Sequence, residues 1–217
     1  LARTFERLGR TVHRENHLGD WGLPIAMVLW SLRRQRADLD RLTVQHLNAA
    51  YRDAQLTGRA DARGLEAARR LHAGPHRIAE LEEQNAGAEA ATAEAKRTLV
   101  GLQSGDAELL ADWHKIVDVT MGALFEAVEL MHVQLGPEHN RGESFYRDRL
   151  ADTVRAFEES GLAEVDEGAL VVRFEDRERP LIIRKGDGGF IYATTDVAAV
   201  RFRTQELGAR SEEHTSE

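Results

Sequence analysis

Residues 40–135 are rich in Ala, Glu and Arg and almost free of strand-forming residues, and this stretch limits the possible folds more than any other feature. Such a composition favours helices over sheet. Breakers near Gly58, Gly74-Pro75 and Ser104-Gly105-Asp106 divide it into several helices. After the last break, Leu109, Trp113, Ile116, Thr120, Leu124, Ala127, Met131 and Leu135 recur at steps of three or four. That spacing predicts one core-facing stripe, with Asp106 as the N-cap.

The flanks read differently. Residues 1–9 have the pattern of the end of an amphipathic helix stopped by Gly9, and Thr11 to Leu18 reads as a strand. Residues 19–22 form the loop after it, and an apolar run from Leu23 to Arg36 predicts a buried helix that tolerates Pro24 in its first turn. Beyond Gly136-Pro137 a helix is expected from Tyr146 to Glu159, ended by Gly161. Short strands follow at 169–174 and 181–184, and residues 185–189 turn the chain into a strand at 190–192. Thr194, Thr195 and Asp196 offer caps for a last helix ending at Leu207-Gly208.

Composition bounds the function classes. The 217 residues include no cysteine, so disulfides and thiol nucleophiles are excluded, and no apolar run approaches the roughly 18 residues of a membrane span. A soluble, cytoplasmic protein is expected. A net charge of −8 argues against this chain being the main grip on a polyanion. The pairs His13/His17 and His72/His76 are each four apart, but the first falls in an expected strand and the second straddles Gly74-Pro75. Neither makes a helical metal pair, and no metal site is expected.

Two segments could carry chemistry. In Asn16-His17-Leu18-Gly19-Asp20-Trp21-Gly22, glycines bracket a carboxylate and a large aromatic just after an expected strand, where ligands of parallel α/β sheets bind. The alternative is a tight turn with Trp21 as a core plug. In Tyr192-Ala193-Thr194-Thr195-Asp196, a phenol ends a strand and a carboxylate starts a helix. That carboxylate could accept two hydrogen bonds from a guanidinium, or could simply cap the helix. Gly186-Asp187-Gly188-Gly189 lacks the helix start and the Lys-Ser/Thr ending of a phosphate loop and reads as a hairpin turn.

Taken together, ENHLGDWG at 15–22, YRDA at 51–54, LQSGD at 102–106, VDVTM at 117–121, GES at 142–144 and KGDGGFIYATTDVAAVRFR at 185–203 resemble the arginyl-tRNA synthetases, in the same order. The resemblance covers nearly all of residues 1–209. It implies an α/β fold: part of the class I synthetase nucleotide-binding, Rossmann-like fold, interrupted by a large and mainly helical connective insertion. Residues 1–36 and 189–209 would then belong to the nucleotide-binding fold and 37–188 to the insertion. It also implies an arginine-tRNA ligase that activates L-arginine with ATP and Mg2+ and transfers it to tRNA(Arg). Tyr192, Asp196 and Trp21 would be arginine-binding residues, with His17, Gly19, Asp20 and Gly22 on the loop beside the pocket. The His-Ile-Gly-His and Lys-Met-Ser-Lys-Ser type motifs of the family, which handle ATP, do not occur here, nor does its anticodon-binding domain. A fragment inactive by itself is therefore expected, the alternative being a non-catalytic arginine-binding or structural paralogue. Leu23-Pro24-Ile25-Ala26 stands where many relatives carry a Gln-Phe-Gly-like stretch. Residues 210–217 (RSEEHTSE) correspond to a translated sequencing adapter and are expected to be a non-native, dispensable tail, the alternative being an ordinary polar terminus.

Overall fold

The structure, a computed structural model, describes residues 1–186 and 188–210. Asp187 of the expected hairpin turn and residues 211–217 of the expected tail lie outside the described residues. The chain divides into two compact units, one formed by residues 20–134 and the other by residues 1–19 together with those from 135 onward. The 23–34 helix packs within the unit formed by residues 20–134.

The helical unit contains α2 (Leu23–Arg34), α3 (Val44–Thr57), α4 (Ala62–Arg70), α5 (Pro75–Gln103) and α6 (Ala107–Leu130). Each break falls where the breakers stand. Gly22 caps α2 with proline in the first turn, Thr43 accepts from the His46 amide at the start of α3, and Asp106 accepts from the Glu108 and Leu109 amides at 3.0 Å. The core joins Trp21, Leu29, Leu32 and Leu47 to Leu102, Leu109, Trp113 and Ile116. The α6 stripe is buried only over its first turns. Thr120, Ala127 and Met131 are exposed, Leu124 and Leu135 are partly buried, and the buried residue of the later turns is Val128, which the stripe does not include.

A polar clasp ties α2 to α3. Asp53 Oδ2 accepts from the wholly buried Ser31 hydroxyl at 2.7 Å, from Arg34 at 2.6 Å and from Gln35 at 3.1 Å. These bonds, the Ser31 bond foremost, hold the Asp53 carboxyl below the usual aspartate range. A depressed carboxyl stabilises the fold above its unfolded value of about 4, and that stabilisation is lost as pH falls through the folded value. Asp53→Ala is expected to cost about 1–2 kcal/mol at neutral pH. In urea unfolding, the gap between wild type and variant should close on acidification below pH ~4.

The other unit begins with α1 (Ala2–Arg7), after which Gly9 takes a φ of +73°. The strand expected at 11–18 is not formed: the segment makes one isolated parallel bridge, Asn16 to Asn140. A longer ladder fails because the partner segment runs between short 3-10 helices at Pro137–His139 and Glu143–Arg149 and is extended only briefly. The second of these leads into α7 (Leu150–Ser160), capped by Gly161 at φ +70°. A three-stranded antiparallel sheet follows, β1 (Glu164–Asp166), β2 (Ala169–Val172) and β3 (Leu181–Arg184), in the order β1-β2-β3. Its first turn, Glu167-Gly168, has positive φ at both residues, as a two-residue type I′ hairpin requires. No parallel sheet is formed among the described residues. The chain continues into α8 (Tyr192–Arg201) and a π-helical turn at Phe202–Glu206, and Gly208 follows with a φ of +66°.

Candidate functional site

The start of α8 is fixed from beneath. Thr194 is fully buried; its hydroxyl donates to the Ile183 carbonyl of β3 and accepts from the Ile191 amide at 3.4 Å. Ile191 is therefore the N-cap, and Tyr192 opens the helix instead of ending a strand. Asp196 is the fifth helical residue, so the capping role considered for it does not apply. Tyr192 and Asp196 are four apart and share a face. Tyr192 is 72% exposed and the Asp196 side chain 61% exposed, leaving a phenol and a carboxylate one turn apart and open to a ligand.

His17 reaches the same place. Its Nε2 lies 3.9 Å from Asp196 Oδ1, beyond a hydrogen bond but close enough for charge attraction. The segment carrying it is held by three backbone bonds: Asn16 N to His139 O at 2.8 Å, Arg141 N to Asn16 O at 2.9 Å and Glu143 N to Leu18 O at 2.9 Å. The His17 ring also rests 5.9 Å from that of Tyr146.

Below this lies a buried polar layer. Glu15 and Arg203 pair at 2.5 Å, with side chains only 11% and 13% exposed. Tyr146 is wholly buried, and its hydroxyl finds no hydrogen-bond partner among the described residues. Burial, and secondarily the Glu15 carboxylate, push its pKa up to about 12. The Arg141 and Arg149 guanidiniums lie over the Phe145 ring at 4.9 and 4.7 Å. Deleting an unpartnered buried hydroxyl removes a desolvation cost, so Tyr146→Phe is expected to leave the thermal midpoint unchanged or slightly raised, by no more than about 1 kcal/mol in stability. A drop of several degrees would show that the hydroxyl is bonded.

Within the helical unit, Trp21 is 7% exposed and meets Trp113 edge to face at 5.1 Å. Trp113 Nε1 donates to the Asp20 carbonyl at 2.7 Å. A ring so enclosed presents no face to a ligand, and Trp21 takes the core-plug alternative. Gly22 serves as the α2 cap, whereas a Cβ on Gly19 would meet nothing within 4 Å. A groove of about 580 Å³ between α2, α3 and α5, with Trp30, Arg52 and Arg59 on its wall, includes none of the expected arginine-binding residues. Among the described residues no three His, Asp or Glu side chains cluster as metal ligands do.

The family described as class I tRNA synthetases (R), catalytic domain, matches residues 1–212. The chain belongs to that family. Within this synthetase family, the arginine-tRNA ligase of Chromobacterium violaceum is 36% identical over 215 residues, covering 95% of this chain and 33% of the relative. That of Cellvibrio japonicus is 35% identical over 97% of this chain and 33% of its own length. The chain thus spans about a third of the curated relatives it matches. The crystal structure of Plasmodium falciparum arginyl-tRNA synthetase superposes with a TM-score of 0.65 at 22% identity, covering 95% of this chain and 30% of that one. The fold is that of a class I synthetase catalytic domain, here mostly helical with a small antiparallel sheet.

Glu15, Tyr146 and Arg203 were not singled out by sequence reasoning. Each sits in or beside a family motif, but nothing in the sequence pairs residues 188 positions apart.

Proposed function

We propose that this chain is the arginine-recognising part of an arginine-tRNA ligase, whose parent forms arginyl-adenylate from ATP with Mg2+ and charges tRNA(Arg) in the cytoplasm. The observation that carries the reading is the Tyr192/Asp196 face of α8, where an exposed carboxylate, free of any capping duty, stands one turn from an exposed phenol. A carboxylate can accept two parallel hydrogen bonds from a guanidinium, and a phenol can add a further bond or a stacking face. No residue of this chain matches the family's ATP motifs, so the phosphate-handling steps fall to segments outside it. Among the described residues no helix is long and apolar enough to cross a membrane.

The test is a chimaera in which residues 1–209 replace the matching third of the Chromobacterium violaceum ligase. It is expected to catalyse arginine-dependent pyrophosphate exchange and to charge tRNA, whereas the chain alone gives no exchange above background. Losing even one donor to the transferring group costs ~100-fold or more. A folded chimaera that binds ATP but shows no arginine-dependent exchange would favour the non-catalytic paralogue.

A further inference from the structure

His17 has a geometry that the pocket reading does not use. Its imidazole is a potential cation 3.9 Å from the carboxylate to which a guanidinium would bind, and its side chain is only 32% exposed. Its ring rests on buried Tyr146, and its backbone is bonded on both sides through Asn16 and Leu18, so the segment is fixed in place. A charged His17 therefore competes with the ligand for Asp196 and repels its guanidinium. A neutral His17 does neither.

Resting on the arginine-pocket reading, we propose that His17 is a positioning residue for Asp196 that makes arginine binding proton-linked, the ligand displacing a proton from its imidazole. When protonated, the imidazole attracts the Asp196 carboxylate across 3.9 Å. When arginine enters, the imidazolium N–H bond breaks, the proton passes to solvent, and the guanidinium takes over the carboxylate. The balance is one cation gained and one proton released.

Two imidazoles lie in this region: His139 stands 3.3 Å from Glu138, and His17 stands 3.9 Å from Asp196. Asp196 faces His17 from α8, and the Tyr146 phenol and Glu143 belong to the 3-10 helix packed against its segment. The Glu15–Arg203 pair, Arg141 and Arg149 surround Tyr146. The phenol stays protonated to about pH 12 and the guanidiniums stay charged throughout. Imidazole is the side chain that ordinarily changes charge between pH 5 and 8.

The experiment is isothermal titration of L-arginine into the 217-residue chain between pH 5.5 and 7.5, in buffers of different ionisation enthalpy, with His17→Gln and Asp196→Asn as variants. Two cations about 4–5 Å apart near a surface weaken each other enough that affinity should fall ~5- to 30-fold from pH 7.5 to 5.5. Binding at pH 6.5 should release a measurable fraction of a proton. His17→Gln, which cannot become a cation, should flatten the pH dependence and abolish the release, although eight other histidines remain. A flat profile in the wild type, or an equally steep one in His17→Gln, overturns the proposal; if Asp196→Asn still weakens binding in that case, the pocket reading stands. Arginine binding unaffected by Asp196→Asn, or no saturable binding by the wild-type chain, overturns both.

Discussion

Arg203→Met is expected to destabilise the unit formed by residues 1–19 and 135 onward by about 3–5 kcal/mol, because it strips the partner from a carboxylate that is almost fully removed from water. Glu15 Oε1 already lacks a partner among the described residues, so nothing nearby compensates when Oε2 loses its guanidinium. The loss is more than electrostatic. Glu15 precedes the Asn16–Leu18 bonds that fix His17, and Arg203 follows Phe202, a core residue packed with Tyr146. Removing both charges together separates pair from packing: Glu15→Leu with Arg203→Met is expected to recover most of the lost stability, since a buried ion pair replaced by apolar groups of similar volume is often neutral or better. Chemical denaturation of the four proteins of the cycle measures this directly. If Arg203→Met alone costs under 1 kcal/mol, the pair is solvated and the buried layer is not a unit.

Much of the fold was legible because local chemistry and tertiary context agree. The breaks at Gly58, Gly74-Pro75 and Ser104–Asp106, the Asp106 cap and the Gly161 stop each rest on one or two residues acting over a few bonds, and each stands where expected. The 11–18 segment failed for the opposite reason. Its residues suit a strand, but a strand exists only through a partner, and the partner at 139–143 is bent by 3-10 turns. The α6 stripe failed past Ile116 because a period of three or four marks one face of a helix without marking how far a neighbour covers it. At the site, the sequence left Asp196 open between a cap and a ligand carboxylate, its arginine-binding role being implied only by the family resemblance, and the helix boundary that removes the cap was not legible. That boundary depends on buried Thr194, whose hydroxyl joins the start of α8 to β3. Trp21 shows the limit of motif reasoning: its neighbours Asp20 and Gly22 are loop residues, yet its own ring is enclosed by the helical core.

Asp196→Asn in the chimaera should raise the Michaelis constant for arginine by about 10- to 150-fold while leaving that for ATP within a few-fold. Hydrogen bonds to a charged group contribute about 1.5–3 kcal/mol, which converts to that range. Asparagine keeps the shape of the side chain but offers one carbonyl acceptor and no charge, so the two parallel bonds and the ion pair are lost together. The structure makes this substitution cleaner than a cap replacement would be. Ile191 and Thr194 manage the start of α8, and Asp196 is exposed in its second turn. Asp and Asn have similar helix propensities, so the thermal midpoint should move little and a kinetic change cannot be blamed on unfolding. Tyr192→Phe gives the graded comparison: it keeps the ring and removes one neutral hydrogen bond, so it should raise the same constant only about 3- to 10-fold. The order of effects matters as much as their size, since a charged bidentate contact must outweigh a neutral single one. Arginine kinetics close to wild type in Asp196→Asn, with a folded protein, would remove this carboxylate from guanidinium recognition and leave the exposed face of α8 to some other ligand.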